Sequence, residues 1–183
     1  MTKQELTVLL QQYGIRLESF GQNSAKSLDH LLTEIVDGET VLAEQDGRLV
    51  RKVSVLGVDV FANINDCAQH LVEDRQVFTD GRVRRRQMPT SISEKLHQGE
   101  DVFAAVARAL EEEIGVCKFT LLTPVPKTRV EIEDSPSYPG ILSEYTKYEV
   151  EILIHSSEYC LDGYREVQKD KTTHFVWEKG GEK

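Results

Sequence analysis

Residues 101–116, Asp-Val-Phe-Ala-Ala-Val-Ala-Arg-Ala-Leu-Glu-Glu-Glu-Ile-Gly-Val, constrain the fold more than any other stretch of this chain. Val102, Phe103, Val106, Leu110 and Ile114 recur at intervals of three and four, the period of a helix with one buried face. Gly115 is the residue best suited to end that helix. The last turn is costly. Glu111, Glu112 and Glu113 put negative charge where the helix macrodipole is already negative, at roughly 0.3–1 kcal/mol for each exposed carboxylate. At ~100° per residue, Glu113 falls beside Val106 at the edge of the apolar stripe. Glu112 lies about a further 100° round, beside Ala105 and Ala109. A hard divalent cation with oxygen ligands would offset the cost; a solvated polar face is the ordinary fate of such a run.

Ahead of this helix the pattern divides in two. Residues 3–13 place Leu6, Leu9, Leu10 and Tyr13 on one helical face, and residues 27–36 do the same with Leu28, Leu31, Leu32 and Ile35. Both helices are expected to cover one surface of a sheet. From 40 to 63 the chain changes to alternating Val, Leu and Phe, with Asp46-Gly47 marking one reversal and Gly57 a second. Gln76–Arg86 repeats the signal around Asp80-Gly81. Gln87–Gln98, with Met88-Pro89, Thr90, Ser91 and Ser93, reads as a loop. Beyond the helix, residues 118–122, 129–132, 145–154 and 174–177 read as strands. Strands, helix and strands preceded by two helices describe an α+β chain. The expected division is an N-terminal helical extension over 1–39, packed on a domain over 40–183.

Composition narrows the function. A net charge of −9 disfavours general attraction to nucleic acid or anionic membrane. A small anionic ligand would then need a local cation, either a metal or the arginines Arg82, Arg84, Arg85 and Arg86. No apolar run reaches membrane-spanning length, and the start lacks a secretory pattern, so a soluble, cytoplasmic protein is expected. Cys67, Cys117 and Cys160 lack Cys-x-x-Cys spacing and are expected to be reduced and structural.

The stretch Glu94–Val116 resembles a degenerate box of the Nudix hydrolase superfamily. Glu100, Arg108, Leu110, Glu112, Glu113, Gly115 and Val116 stand at that pattern's intervals. Glu94 replaces its first glycine, and Ala109 replaces the first glutamate of its helix. The resemblance implies an α/β/α sandwich with a mixed sheet, two N-terminal helices and one central box helix. It also implies attack by water on a phosphorus of a nucleoside diphosphate linked to another moiety. In that reading Glu112 and Glu113 are catalytic and hold magnesium or manganese. Glu100 and Arg108 give structural support, and Arg84 and Arg86 bind substrate. With Ala109 in place of a carboxylate, the base is sought among Glu133, Asp134 and Glu144, with Glu144 first. A looser likeness, of Ser135–Glu144 to a loop of ADP-ribose-type members, points to the same residue; a proline-and-glycine turn fits that segment equally. Ala109 and Glu94 together leave an alternative: a Nudix-fold protein that binds a nucleotide ligand or a protein partner without hydrolysis. A homodimer is expected by family analogy alone.

Overall fold

The computed structural model describes residues 1–179. In chain order these form α1 (Lys3–Gln12), α2 (Leu28–Val36), β1 (Val41–Gln45), β2 (Arg48–Ile64), β3 (Cys67–Phe78), β4 (Val83–Arg84), β5 (Ile92–Lys95), α3 (Val102–Ile114), β6 (Phe119–Leu121), β7 (Lys127–Asp134), β8 (Leu142–Ile154), β9 (Tyr164–Val167) and β10 (Lys171–Lys179). The fold is α+β, with three α-helices among the described residues. The strands pair in the order β6-β8-β2-β3-β10-β9, with β1 and β5 joining β2, β4 joining β3 and β7 joining β8. The chain divides into two compact units. One comprises Met1–Val55, Lys95–Glu100 and Thr128–Lys147, and the other Leu56–Glu94, Asp101–Lys127 and Tyr148 onward.

In the first unit, α1 starts with a capping box: the Glu5 amide donates to Thr2 Oγ1 at 3.2 Å and the Thr2 amide to Glu5 Oε2 at 2.7 Å. Ser27 caps α2. Their apolar faces supply Leu6, Leu10 and Leu31 to a buried cluster with Leu49, Tyr138 and Ile141. Asp46 and Gly47 have φ of 50° and 73°, the left-handed pair that a two-residue hairpin turn needs. Gln45 and Arg48 therefore pair directly across it. Ser135–Ile141 is a packed turn: the Tyr138 amide donates to Ser135 Oγ at 3.1 Å and the Ser135 amide to the Ile141 carbonyl at 3.0 Å.

A buried polar centre also belongs to this unit. Glu34 receives Lys26 at 2.7 Å, Arg51 at 2.7 Å, Lys95 at 2.8 Å and the Thr40 hydroxyl at 3.2 Å. Arg51 is only 3% exposed; its guanidinium lies over the rings of Tyr138 and Tyr145. Burial by itself would raise the Glu34 pKa. The hydrogen bonds from Lys26, Lys95 and Arg51 together outweigh burial and hold the carboxyl well below its usual range.

In the second unit, Leu56, Val58, Val60 and Ala62 are buried along one face of β2. Helix α3 is capped by Asp101, which accepts the Phe103 and Ala104 amides at 3.0 Å, and ends on Gly115 with φ 69°. Gly57 reverses nothing, contrary to expectation. β2 runs straight through it, and the turn comes at Asn65-Asp66. A Cβ at position 57 would stand 2.8 Å from Thr90 Cγ2, so this glycine permits a close approach. The expected loop over 87–98 contains β5, whose sequence Ile-Ser-Glu-Lys has too little apolar alternation to announce a strand. At Asp80-Gly81 the reversal is longer than two residues, with Val77 opposite Val83. The three cysteines are free but exposed, so they do not pack as small core residues.

Candidate functional site

The faces of α3 differ from the simple helical-wheel reading. Ala105 and Ala109 are fully buried alongside Val106 and Leu110. Their burial carries the buried face past Glu113, which is drawn partly inside it, as far as the rim where Glu112 stays exposed. Glu112 is 59% exposed and pairs with Arg108 one turn back at 3.1 Å, which offsets part of the macrodipole cost. Glu113 instead lines a polar pocket of about 180 Å³ in the second unit.

Hairpin β9–β10 and strand β3 build one wall of that pocket. Thr173 lies opposite Glu166 on one side and Gln76 on the other, so the three share a face. Lys171, Thr173 and Phe175 alternate along β10 on this face and line the pocket. A β-bulge then brings in Glu73. His174 pairs with Arg75 and Phe175 with Glu73, which leaves Asp74 as the extra residue. Without the bulge, strand alternation would present Asp74 to the pocket and turn Glu73 away. Asp74 instead engages Arg75 and Arg85. Glu73 takes Arg86 through two bonds of 2.8 and 2.7 Å. This bidentate arrangement fixes the guanidinium plane.

The charges in the pocket are unevenly matched. Burial, then the neighbouring carboxylates Glu166 and Glu94, raises the Glu113 pKa well above the usual carboxylate range, and Lys171 opposes them. Glu166 lies close enough to Glu113 for a hydrogen bond to add to that rise. Thr173 is 2% exposed, and its hydroxyl has no hydrogen-bond partner. Such an orphaned polar atom in a pocket wall asks for a ligand.

Of the expected residues, Glu113 and Arg86 line this pocket. Arg84 donates to the Gln76 side chain at 3.1 Å and lies over the Phe78 ring, so it supports the wall. Glu112 is at the surface with Arg108. Glu144 belongs to the first unit, where it pairs with Lys52 at 3.2 Å. Glu100 accepts the His97 amide at 2.9 Å. Sequence reasoning missed Glu73, Glu166, Lys171 and Thr173. Strand β9, which carries Glu166, has little apolar alternation, and a bulge leaves no sign in the sequence.

No known family matches the chain by sequence, and no curated protein does. By structure the chain is similar to Nudix proteins. The C. elegans Ap4A hydrolase is 12% identical, with 69% of this chain and 79% of that one covered and a TM-score of 0.39. The Nudix domain of Shewanella oneidensis NrtR, complexed with ADP ribose, is 11% identical over 70% and 73% of the two chains, with a TM-score of 0.37. A MutT structure, from work on the Aliivibrio salmonicida and Vibrio cholerae proteins, is 16% identical over 70% and 80%, with a TM-score of 0.31.

Proposed function

We propose that the pocket around Glu113 takes a nucleoside diphosphate derivative together with a divalent cation and hydrolyses its diphosphate slowly. The observation that carries this reading is that Glu94 and Glu166 face Glu113 in the same pocket as Arg86 and Lys171. The carboxylate that α3 lacks at Ala109 thus has substitutes from β5 and β9. Among the described residues, no group of three or more His, Cys, Asp or Glu is arranged to hold a metal unaided. Magnesium does not require one, since it is commonly bound by one or two carboxylates with waters and substrate phosphates. Mutually repelling carboxylates and the orphaned Thr173 hydroxyl fit such a shared site. Magnesium or manganese would be held by Glu113 and Glu166 and would neutralise charge on the phosphates.

The chain's own groups divide the remaining work. Arg86, fixed by Glu73, presents its outer edge to a phosphate, and Lys171 adds a second positive charge. Glu94 and Glu166 are the candidates to accept the proton of the attacking water as the new phosphorus–oxygen bond forms and the old one breaks. A second reading, ligand binding without hydrolysis, is favoured by one specific arrangement. Glu112 is tied to Arg108 and Glu144 to Lys52, so of the three expected catalytic carboxylates only Glu113 reaches the pocket.

The deciding assay follows release of phosphate or mononucleotide from a panel of nucleoside diphosphate compounds with magnesium or manganese. Hydrolysis predicts turnover that falls by about 10²-fold or more in Glu113→Gln and changes little in Glu112→Gln. If a folded native chain releases nothing yet retains a nucleotide in equilibrium dialysis, the binding reading replaces it.

A further inference from the structure

Strand β7 is covered on neither face. All of its residues are exposed except Glu131, which is half-buried, and Val130 and Ile132 are 59% and 56% exposed. It pairs with β8 and with no other strand among the described residues, so it presents a sheet edge. The strand is eight residues long, with neither proline nor glycine inside it. An exposed apolar edge of this kind is a template for another strand.

The charge order on β7 specifies what that strand is. When two copies of one strand pair antiparallel about a two-fold axis, one residue must face its own copy. With Val130 on the axis, Arg129 stands opposite Glu131 of the second copy and Lys127 opposite its Glu133, and symmetry forms each pair twice. Thr128 then lies opposite Ile132 on the apolar face. Moving the axis to Glu131 sets glutamate against glutamate, and moving it to Arg129 sets arginine against arginine, each destabilising when directly opposed. Only the central register is free of like-charge contacts. We infer that β7 is a self-complementary docking edge, through which two copies of this chain join antiparallel about Val130.

Within one chain, Arg129 and Glu131 already lie 3.0 Å apart, and Lys147 also engages Glu131. These pairs hold the side chains extended along the face where the second copy brings opposite charges. Dimerisation exchanges ion pairs within a chain for pairs between chains, so the association is expected to be reversible and sensitive to salt.

Sedimentation equilibrium of the full chain at rising concentration tests the inference. The native chain should show a monomer–dimer equilibrium. Arg129→Glu, which opposes glutamate to Glu131 twice, should weaken it by about tenfold or more, and so should Glu131→Arg. The double swap Arg129→Glu/Glu131→Arg should restore association. Hydrogen exchange in the native chain serves if a variant fails to fold, because β7 amides should gain protection as concentration rises. A chain that stays monomeric throughout, a dimer indifferent to Arg129→Glu, a double swap no better than either single, or β7 exchange independent of concentration would each overturn the assignment.

Discussion

Replacing Glu34 with glutamine should cost the fold about 3–5 kcal/mol at neutral pH, the range for removing one partner from a buried ion pair. The three cations around Glu34 do not share that loss evenly. Lys26 is 43% exposed and can turn to water, while Lys95 is 26% exposed and keeps Glu39 at 2.6 Å. Arg51 has neither outlet. It is almost wholly buried, and after the change it has no anion beside it, only a neutral amide, the Tyr145 hydroxyl at 3.3 Å and two aromatic faces. Most of the penalty is therefore an uncompensated Arg51 charge, and removing Arg51 as well should recover part of it. Urea denaturation would measure Glu34→Gln, Arg51→Met and the double variant, with midpoints compared at constant m. A coupling of about 2 kcal/mol or more is expected between the two sites. Additive losses, or a Glu34→Gln cost below about 1 kcal/mol, would refute the reading of a buried pair. Because the folded carboxyl sits below its ordinary value of 4.5, its contribution is complete above that pH and declines as pH falls toward the depressed value. The gap between native and Glu34→Gln should accordingly narrow on acidification from about pH 4.5.

Other changes probe the second unit. Gly57→Ala should lose about 1–3 kcal/mol in thermal or urea unfolding, because the new Cβ meets Thr90 Cγ2 at 2.8 Å. Thr90→Ser removes that methyl while keeping a hydroxyl for the Ile92 carbonyl, so the pair of changes should recover most of the loss. Gly163→Ala should be far more damaging, since its Cβ would lie 1.9 Å from the Phe175 carbonyl oxygen at a positive φ; loss of near-native circular dichroism would be the readout. Asp101→Ala removes both capping bonds of α3 and should lower stability by about 1 kcal/mol, whereas Asp101→Asn should change little.

What the sequence disclosed and what it concealed follow different physics. Helices α1, α2 and α3, their caps and the Asp46-Gly47 turn depend on residues near one another in the chain, and periodicity or turn chemistry reveals them. The pocket does not arise that way. Its Glu113 was legible as a carboxylate on the right helix. Its separation from Glu112 depends on the depth to which Ala105 and Ala109 are buried, which alanine does not advertise. Glu94 was visible as an anomaly in the box, but β5 was not visible as a strand. Glu166 lies on a strand with little apolar alternation and meets Glu113 only through long-range packing. Arg86 was recognised within a cluster of four arginines, yet its distinction from Arg84 comes from Glu73 on another strand.

The bulge at Asp74 bears on how this chain is laid beside others. Glu73 occupies the pocket because one residue is set aside from the ladder, so the pocket glutamate is out of phase with simple strand counting. Matching β3 without a gap to a regular strand would assign the pocket position to Asp74 and overlook Glu73. Length tolerance also becomes asymmetric here. Deleting Asp74 would regularise the strand and keep Glu73 facing inward, at the cost of the partner of Arg75 and Arg85. Inserting one further residue into the ladder would turn Glu73 outward. Position 74 contributes to the site by being counted, and what its side chain does is a separate matter.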